Sequence, residues 1–125
     1  MEHHKLVMPE NLNHYGFLFG GYLLKWVDEV AWIAATLDFP GFKFVTIAMD
    51  RVEFRRSVRE GTILNFSADR SKVGNTSVNY FVEVWDDQVG SAGTKVRESV
   101  FATTVTLVRV DRNGAKKPIA DPIED

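Results

Sequence analysis

Along residues 20–38 the apolar positions recur with helical spacing. The stretch YLLKWVDEVAWIAATLD is rich in Leu, Ala and Trp and has no interior Gly or Pro. Asp38-Phe39-Pro40-Gly41 predicts its end, because proline disfavours helix in the residue before it and glycine supplies a turn. At about 100° per residue, Lys25, Glu29, Trp32 and Thr36 fall on one narrow stripe, and nearly every other position is apolar. A helix this apolar around its circumference has to be wrapped by other structure. Asp28 falls about 60° from Lys25, at the margin of the stripe, near both water and the packed interior.

Elsewhere the pattern is extended. Met1–Met8 can supply a short first strand, and Pro9–Tyr15 is polar and turn-like. After the helix, Phe44–Phe54, Thr62–Val73, Thr76–Trp85 and Lys95–Val110 predict strands, the third with Val78, Tyr80, Val82 and Val84 on one face. Gly74-Asn75, Asp86-Asp87 and Gly90–Gly93 supply the breaks between them. One long apolar helix followed by an antiparallel meander predicts an α+β domain, with a sheet of about five strands curved around the helix. The tail AKKPIADPIED is polar and proline-containing, and is expected to fray.

A length of 125 residues suits a single domain spanning 1–125, and 45% apolar residues suffice for a core. A domain of this size buries only about two-thirds of its unfolded surface, so association with copies of itself would add stability. The net charge of −2, with Lys and Arg scattered among Asp and Glu, provides no positive field for nucleic acid, although a local basic pocket for one phosphorylated ligand is compatible with it. Cysteine is absent, which excludes disulfides, thiolate metal sites and a cysteine nucleophile. The N-terminus lacks the apolar region of a secretory signal, and Lys25, Asp28 and Glu29 interrupt the longest apolar stretch, so neither export nor a membrane span is expected. A cytoplasmic location fits these features.

Candidate chemistry concentrates in Asn13-His14-Tyr15-Gly16-Phe17-Leu18-Phe19-Gly20-Gly21 and the helix carrying Asp28. Glycines before a helix let the backbone approach a ligand, and first-turn N–H groups lack intrahelical acceptors. With the helix dipole they can hold an anion or a developing oxyanion. A carboxylate two turns on is a competent base or nucleophile. The plainer alternative is that Gly20-Gly21 is only a tight helix entry and Asp28 edges a solvated stripe. A rise of 1.5 Å per residue puts Asp28 roughly 10 Å beyond Gly21, too far for one carbonyl to meet both, so a second subunit could supply the missing partner.

The run N-x-x-G-x-x-F-G-G-x-L-x-x-x-x-D, here Asn13, Gly16, Phe19, Gly20, Gly21, Leu23 and Asp28, resembles the signature of hotdog-fold acyl-CoA thioesterases, in particular the brain acyl-CoA hydrolase type and its short bacterial relatives. The similarity continues through VTIAMDRVEFRRSVREGT, Val73-Gly74-Asn75-Thr76-Ser77 and FATTVTLVRVDRNGAKKPI, and so covers nearly the whole chain in order. The family proline is Ser57 here, and the usual Asp after Gly61 is Thr62. The resemblance implies hydrolysis of acyl-CoA to a free acid and CoA, with Asp28 as catalytic carboxylate, Asn13 orienting water or substrate, and the Gly20 and Gly21 backbone facing the thioester oxygen. It also implies that Asn13 and Asp28 come from opposite subunits of a dimer, itself part of a trimer of dimers. Lys72 and the turn Gly74, Asn75, Thr76 and Ser77 would lie near the pantetheine and phosphates of CoA. No metal or separate cofactor is implied, CoA being part of the substrate.

Other polar residues admit plainer accounts. His3-His4 alternate across a strand, and no third metal ligand is in view. His14 can line the site but has no evident partner. Arg55, Arg56 and Arg59 suit a solvated strand edge, with Arg55 the candidate for a CoA phosphate. Lys116 and Lys117 suit a solvated tail, with reach to the ribose phosphate as the alternative. Trp26, Trp32 and Trp85 are core or interface residues first. Asp50 and Glu53, three apart on a strand, should face opposite ways and so do not make a glycosidase pair. Two functional alternatives remain: a hotdog hydratase or dehydratase using His14, against which Asn13 argues, and a non-catalytic acyl-CoA-binding module.

Overall fold

The helix α1 (Gly20–Asp38) turns its Val27, Val30, Ala31, Ala34 and Ala35 side onto a sheet and buries them. The three alanines let the sheet come close along the second half of the helix. Trp26, in the first half, reaches across to meet Phe66 edge-on at 6.4 Å between ring centroids. The computed structural model describes residues 2–89, 93 and 95–123. Its strands are β1 (Glu2–Leu6), β2 (Lys43–Phe54), β3 (Ile63–Val73), β4 (Ser77–Val89) and β5 (Lys95–Val110). They pair antiparallel in the order β1-β3-β4-β5-β2. Against the helix lie Leu64 and Phe66 of β3, Val78, Tyr80, Val82 and Val84 of β4, and Phe101, Val105 and Leu107 of β5, almost wholly buried. Each such side chain contributes roughly 1.5–3 kcal/mol by leaving water, so this face organises the domain. The expected α+β architecture and the four-residue face of β4 are both present.

Three expectations need correction. Asp86-Asp87 does not break the chain: β4 shifts register between Val84 and Trp85 and continues to Val89. The carboxylates find partners there in place of water. Asp86 meets Arg56 and accepts from Gln88 at 2.8 Å, and Asp87 faces His4 at 3.3 Å and Arg97 at 3.4 Å. The break expected at Gly90–Gly93 falls largely outside the described residues.

The tail is docked as far as it is described. Ile119 packs on the core and donates its N–H to Asn75 O at 2.7 Å. Arg109, buried on β5, donates to the carbonyls of Pro118 (2.8 Å) and Asp121 (2.6 Å), with its guanidinium 3.5 Å from the centre of the Phe42 ring. A buried cation needs partners, and the tail backbone supplies them.

Asp50 and Glu53 share a face. They pair with Thr104 and Ala102, because the register shift at Arg51-Val52 adds a residue and cancels the alternation. Arg51 takes φ 55° there, in the left-handed region.

At the helix C-terminus, the Tyr80 hydroxyl donates to Asp38 at 2.6 Å, and Arg70 stands 3.8 Å from the same carboxylate. Burial pushes the Tyr80 hydroxyl well above the ordinary tyrosine pKa. The bond to Asp38 and its charge act in the same direction, and Arg70 opposes them.

Candidate active site at the helix start and on its flank

The loop ahead of α1 is held by asparagines. Asn11, buried, accepts the Met8 N–H on Oδ1 at 2.9 Å and the Phe19 N–H on its carbonyl at 2.9 Å. Asn13 closes the next turn, donating its N–H to Phe17 O at 2.7 Å. Gly16 provides the left-handed corner, at φ 86°. Asn13 Oδ1 accepts from the N–H groups of Tyr15 (2.9 Å) and Phe17 (3.2 Å). Its oxygen is therefore committed to the loop, and the amide Nδ2–H₂ is the end left to meet a ligand.

The loop leads to Phe19, which precedes the helix with extended backbone and offers no capping side chain. The N–H groups of Tyr22 and Leu23 point back to Phe19 O. Those of Gly20 and Gly21 have no acceptor among the described residues. They are the free donors that a helix start presents to negative charge. A Cβ on Gly21 would come within 2.7 Å of the Phe19 ring, so the glycine keeps this entry open. Asn13, Tyr15, Leu18, Gly20, Phe54 and Arg55 border an open cleft of about 720 Å³.

Asp28 lies on the flank of the helix, half-buried as its place at the stripe margin implied. The Thr46 hydroxyl of β2 donates to its Oδ1 at 2.5 Å. Asp28, Thr46, Trp32, Ile33 and Val45 line a second, more apolar depression of about 540 Å³. One copy of the chain therefore keeps these groups at two separate depressions, with Asn13, Gly20 and Arg55 at one and Asp28 at the other.

Gly74, Asn75, Thr76 and Ser77 are elsewhere again. They form the β3–β4 turn, with Gly74 N–H donating to Ser77 O at 2.8 Å. That turn belongs to the end of the sheet where β5 carries Val108 and the helix carries Asp38. Gly20 lies beside Phe54 at the other end. A helix of 19 residues separates the two ends by roughly 27 Å. Lys72 is exposed beside the turn, which is braced by the tail through Ile119 N–H to Asn75 O and by β5 through Arg109 N–H to Thr76 O.

Arg55 is tied to Glu83 at 2.9 Å and Ser99 at 2.5 Å. Arg56 is held by Asp86 and Glu98. Of the three arginines only Arg59, lying over the Phe17 ring at 5.7 Å, has no carboxylate partner among the described residues. His14 is exposed and lies against Tyr15, with ring centroids 3.9 Å apart and planes tilted by 40°. The described residues contain no cluster of three or more His, Cys, Asp or Glu suited to a metal. None of their helices is long and apolar enough to cross a membrane.

Sequence reasoning missed Thr46. Its signal was present in the alternation of β2, where Thr46 follows Phe44 toward the helix and opposes Leu107. A polar side chain at a core-facing position calls for a partner, and that partner is Asp28.

This helix wrapped by a five-stranded antiparallel sheet, with backbone donors at the helix start and a carboxylate on its flank, is the hotdog architecture. The thioesterase superfamily matches residues 15–92, and the chain belongs to that family. A hexameric hotdog-fold thioesterase of Campylobacter jejuni superposes with a TM-score of 0.83 at 37% identity, covering 94% of this chain and 88% of that one. A Staphylococcus aureus acyl-CoA hydrolase, solved with butyryl coenzyme A, coenzyme A and coenzyme A disulfide, superposes with a TM-score of 0.83 at 29% identity, covering 94% of this chain and 70% of that one. A Buchnera aphidicola protein named as an uncharacterized acyl-CoA thioester hydrolase is 36% identical over 86 residues, or 69% of this chain and 63% of that protein's length.

Proposed function

We propose that the protein hydrolyses the thioester of acyl-CoA to a carboxylic acid and free CoA, at a site made by two copies of the chain. The division of the polar groups carries this reading: Gly20 and Asn13 stand at one depression, and Asp28 with Thr46 stands at another. The strand β2 is an edge of the sheet. Val45, Ile47, Val52 and Phe54 are exposed along it, an apolar edge that invites a second copy. Antiparallel pairing about a two-fold axis on β2 sets each end of one protomer beside the opposite end of the other. The helix start of one copy then approaches the Asp28 flank and the β3–β4 turn of its partner. Such a dimer is the proposed building block of a trimer of dimers.

In this site the Gly20 and Gly21 N–H groups bind the thioester oxygen and stabilise it as negative charge develops. Asp28 of the facing copy, oriented by Thr46, removes a proton from water or attacks the carbonyl carbon directly. Both routes use the carboxylate oxygen that Thr46 leaves free. Asn13 Nδ2 holds the attacking or hydrolytic water. On the first route the carbon–sulfur bond of the tetrahedral adduct breaks, and the CoA thiolate takes up the proton removed from water. On the second the thiolate leaves an acyl–Asp28 anhydride. The water held by Asn13 hydrolyses it, freeing the acid, restoring the carboxylate and supplying the thiolate's proton. Lys72 and the turn Gly74–Ser77 hold the phosphates and pantetheine. Arg55 adds little charge there, being neutralised by Glu83. A hydratase built on His14 is not favoured, because that ring has no carboxylate partner among the described residues.

A thiol-release assay over a panel of acyl-CoAs, run beside Asp28→Asn, tests the proposal. The substitution keeps size and can still accept from Thr46, so folding should persist while turnover falls at least about a hundredfold. Near-wild-type turnover in Asp28→Asn rejects this role for Asp28.

A further inference from the structure

The depression beside Asp28 has walls that the hydrolytic chemistry does not use. Of the aromatic residues on or next to the helix, Trp26 is buried between Tyr22 and Phe66. Phe39 packs into Phe42 and Phe44 at the helix end. Only Trp32 lines the depression, together with Glu29, Ile33 and Val45, and 46% of its surface is exposed. It stands four residues after Asp28 on the same face, about 6 Å further along the axis. Helical side chains lean toward the N-terminus, so the indole bends back over the turn that carries Asp28. Within the depression, a chain leading from Asp28 past Ile33 and Val45 would meet Trp32.

We infer that Trp32 is the end wall of the acyl subsite and restricts the protein to short acyl groups. This rests on the thioesterase function proposed above and names its substrate class. An extended alkyl chain advances roughly 1.25 Å per carbon, from a carbon–carbon bond of about 1.5 Å. The axial offset of about 6 Å between the Asp28 and Trp32 positions on the helix corresponds to about five carbons at most. Butyryl and hexanoyl groups fill the subsite, and decanoyl overruns it. Each methylene that gains a buried place contributes roughly a factor of four. Opening the wall therefore moves the profile by a large and readable amount.

The test compares kcat/KM for acetyl-, butyryl-, hexanoyl-, octanoyl- and decanoyl-CoA in the wild-type protein, Trp32→Ala and Trp32→Phe, with oligomeric state measured by light scattering. Wild type is expected to peak at butyryl or hexanoyl. Trp32→Ala should raise the decanoyl-to-butyryl ratio at least about tenfold, with Trp32→Phe between the two. An unchanged chain-length profile in both variants overturns the role of Trp32 and leaves thioester hydrolysis standing. Equal loss at every chain length together with loss of the oligomer also overturns it, showing that Trp32 only packs the interface. Absence of thiol release by wild type from every substrate rejects the thioesterase function itself.

Discussion

Replacing Thr46 by Val removes one hydroxyl, conserves volume and suits the strand, so it isolates the bond from Thr46 to Asp28. That bond spans 2.5 Å and ends on a carboxylate. Hydrogen bonds to charged groups contribute about 1.5–3 kcal/mol net. Asp28 is only half-buried, so water can replace part of the lost bond, and the lower end applies. At 1.36 kcal/mol per tenfold, about 1.5 kcal/mol corresponds to roughly a tenfold fall in kcat. KM should change little, because Thr46 acts on the carboxylate and not on the bound CoA. Thr46→Ser, which keeps the hydroxyl, should restore most of the loss. The decisive assay is a double-mutant cycle on thiol release: once Asp28 is Asn, adding Thr46→Val should cost less than about twofold, since the two act as a unit. Full additivity, or a Thr46→Val variant with wild-type kcat, would refute the positioning role.

Other consequences are equally measurable. If the two depressions join across subunits, mixing inactive Asp28→Asn with inactive Asn13→Ala under subunit exchange restores about a quarter of wild-type activity, since half the dimers are mixed and each carries one intact site; no recovery after verified exchange places the whole site in one chain. Tyr80→Phe removes the bond to Asp38, which is partly open to water, and should cost about 1 kcal/mol, or roughly 3–6 °C in Tm. The Tyr80 pKa is raised in the folded state, so its contribution is complete below the unfolded tyrosine value of about 10 and declines as pH rises toward the folded value. Denaturant titrations at pH 8 and 10.5 should therefore show a smaller alkaline loss in Tyr80→Phe, and identical losses contradict the coupling. Arg109→Leu deprives the tail of its cation and should destabilise by more than about 2 kcal/mol. It should also open residues 112–122 to hydrogen exchange, and protection equal to wild type would show that Ile119 alone holds the tail.

The legible parts of this molecule were those that short-range pattern governs. Helix limits, the inward face of β4 and the placing of Asp28 at the stripe margin follow from periodicity, which reports how side chains divide between core and water. The errors have one origin. Asp86 and Asp87 read as a turn, Asp50 and Glu53 as opposed, and the tail as frayed, because in each case the deciding partner is distant in sequence. Arg56 and Arg97 keep β4 going, the irregular pairing with β5 turns Asp50 and Glu53 to one face, and Arg109 gathers the tail carbonyls.

The amino-acid order by itself determined an apolar helix that must be wrapped, strands enough to wrap it, orphan donors at its glycine start and an acid two turns along. Tertiary structure alone decided that Thr46 holds that acid, that Arg55 is neutralised by Glu83, and that Trp32, out of the aromatics on or beside the helix, faces the depression at Asp28. The physical reason is that propensity and amphipathic spacing act over a few neighbouring residues. Pairing of charges and walling of a cleft require side chains that meet only when remote strands cross the helix.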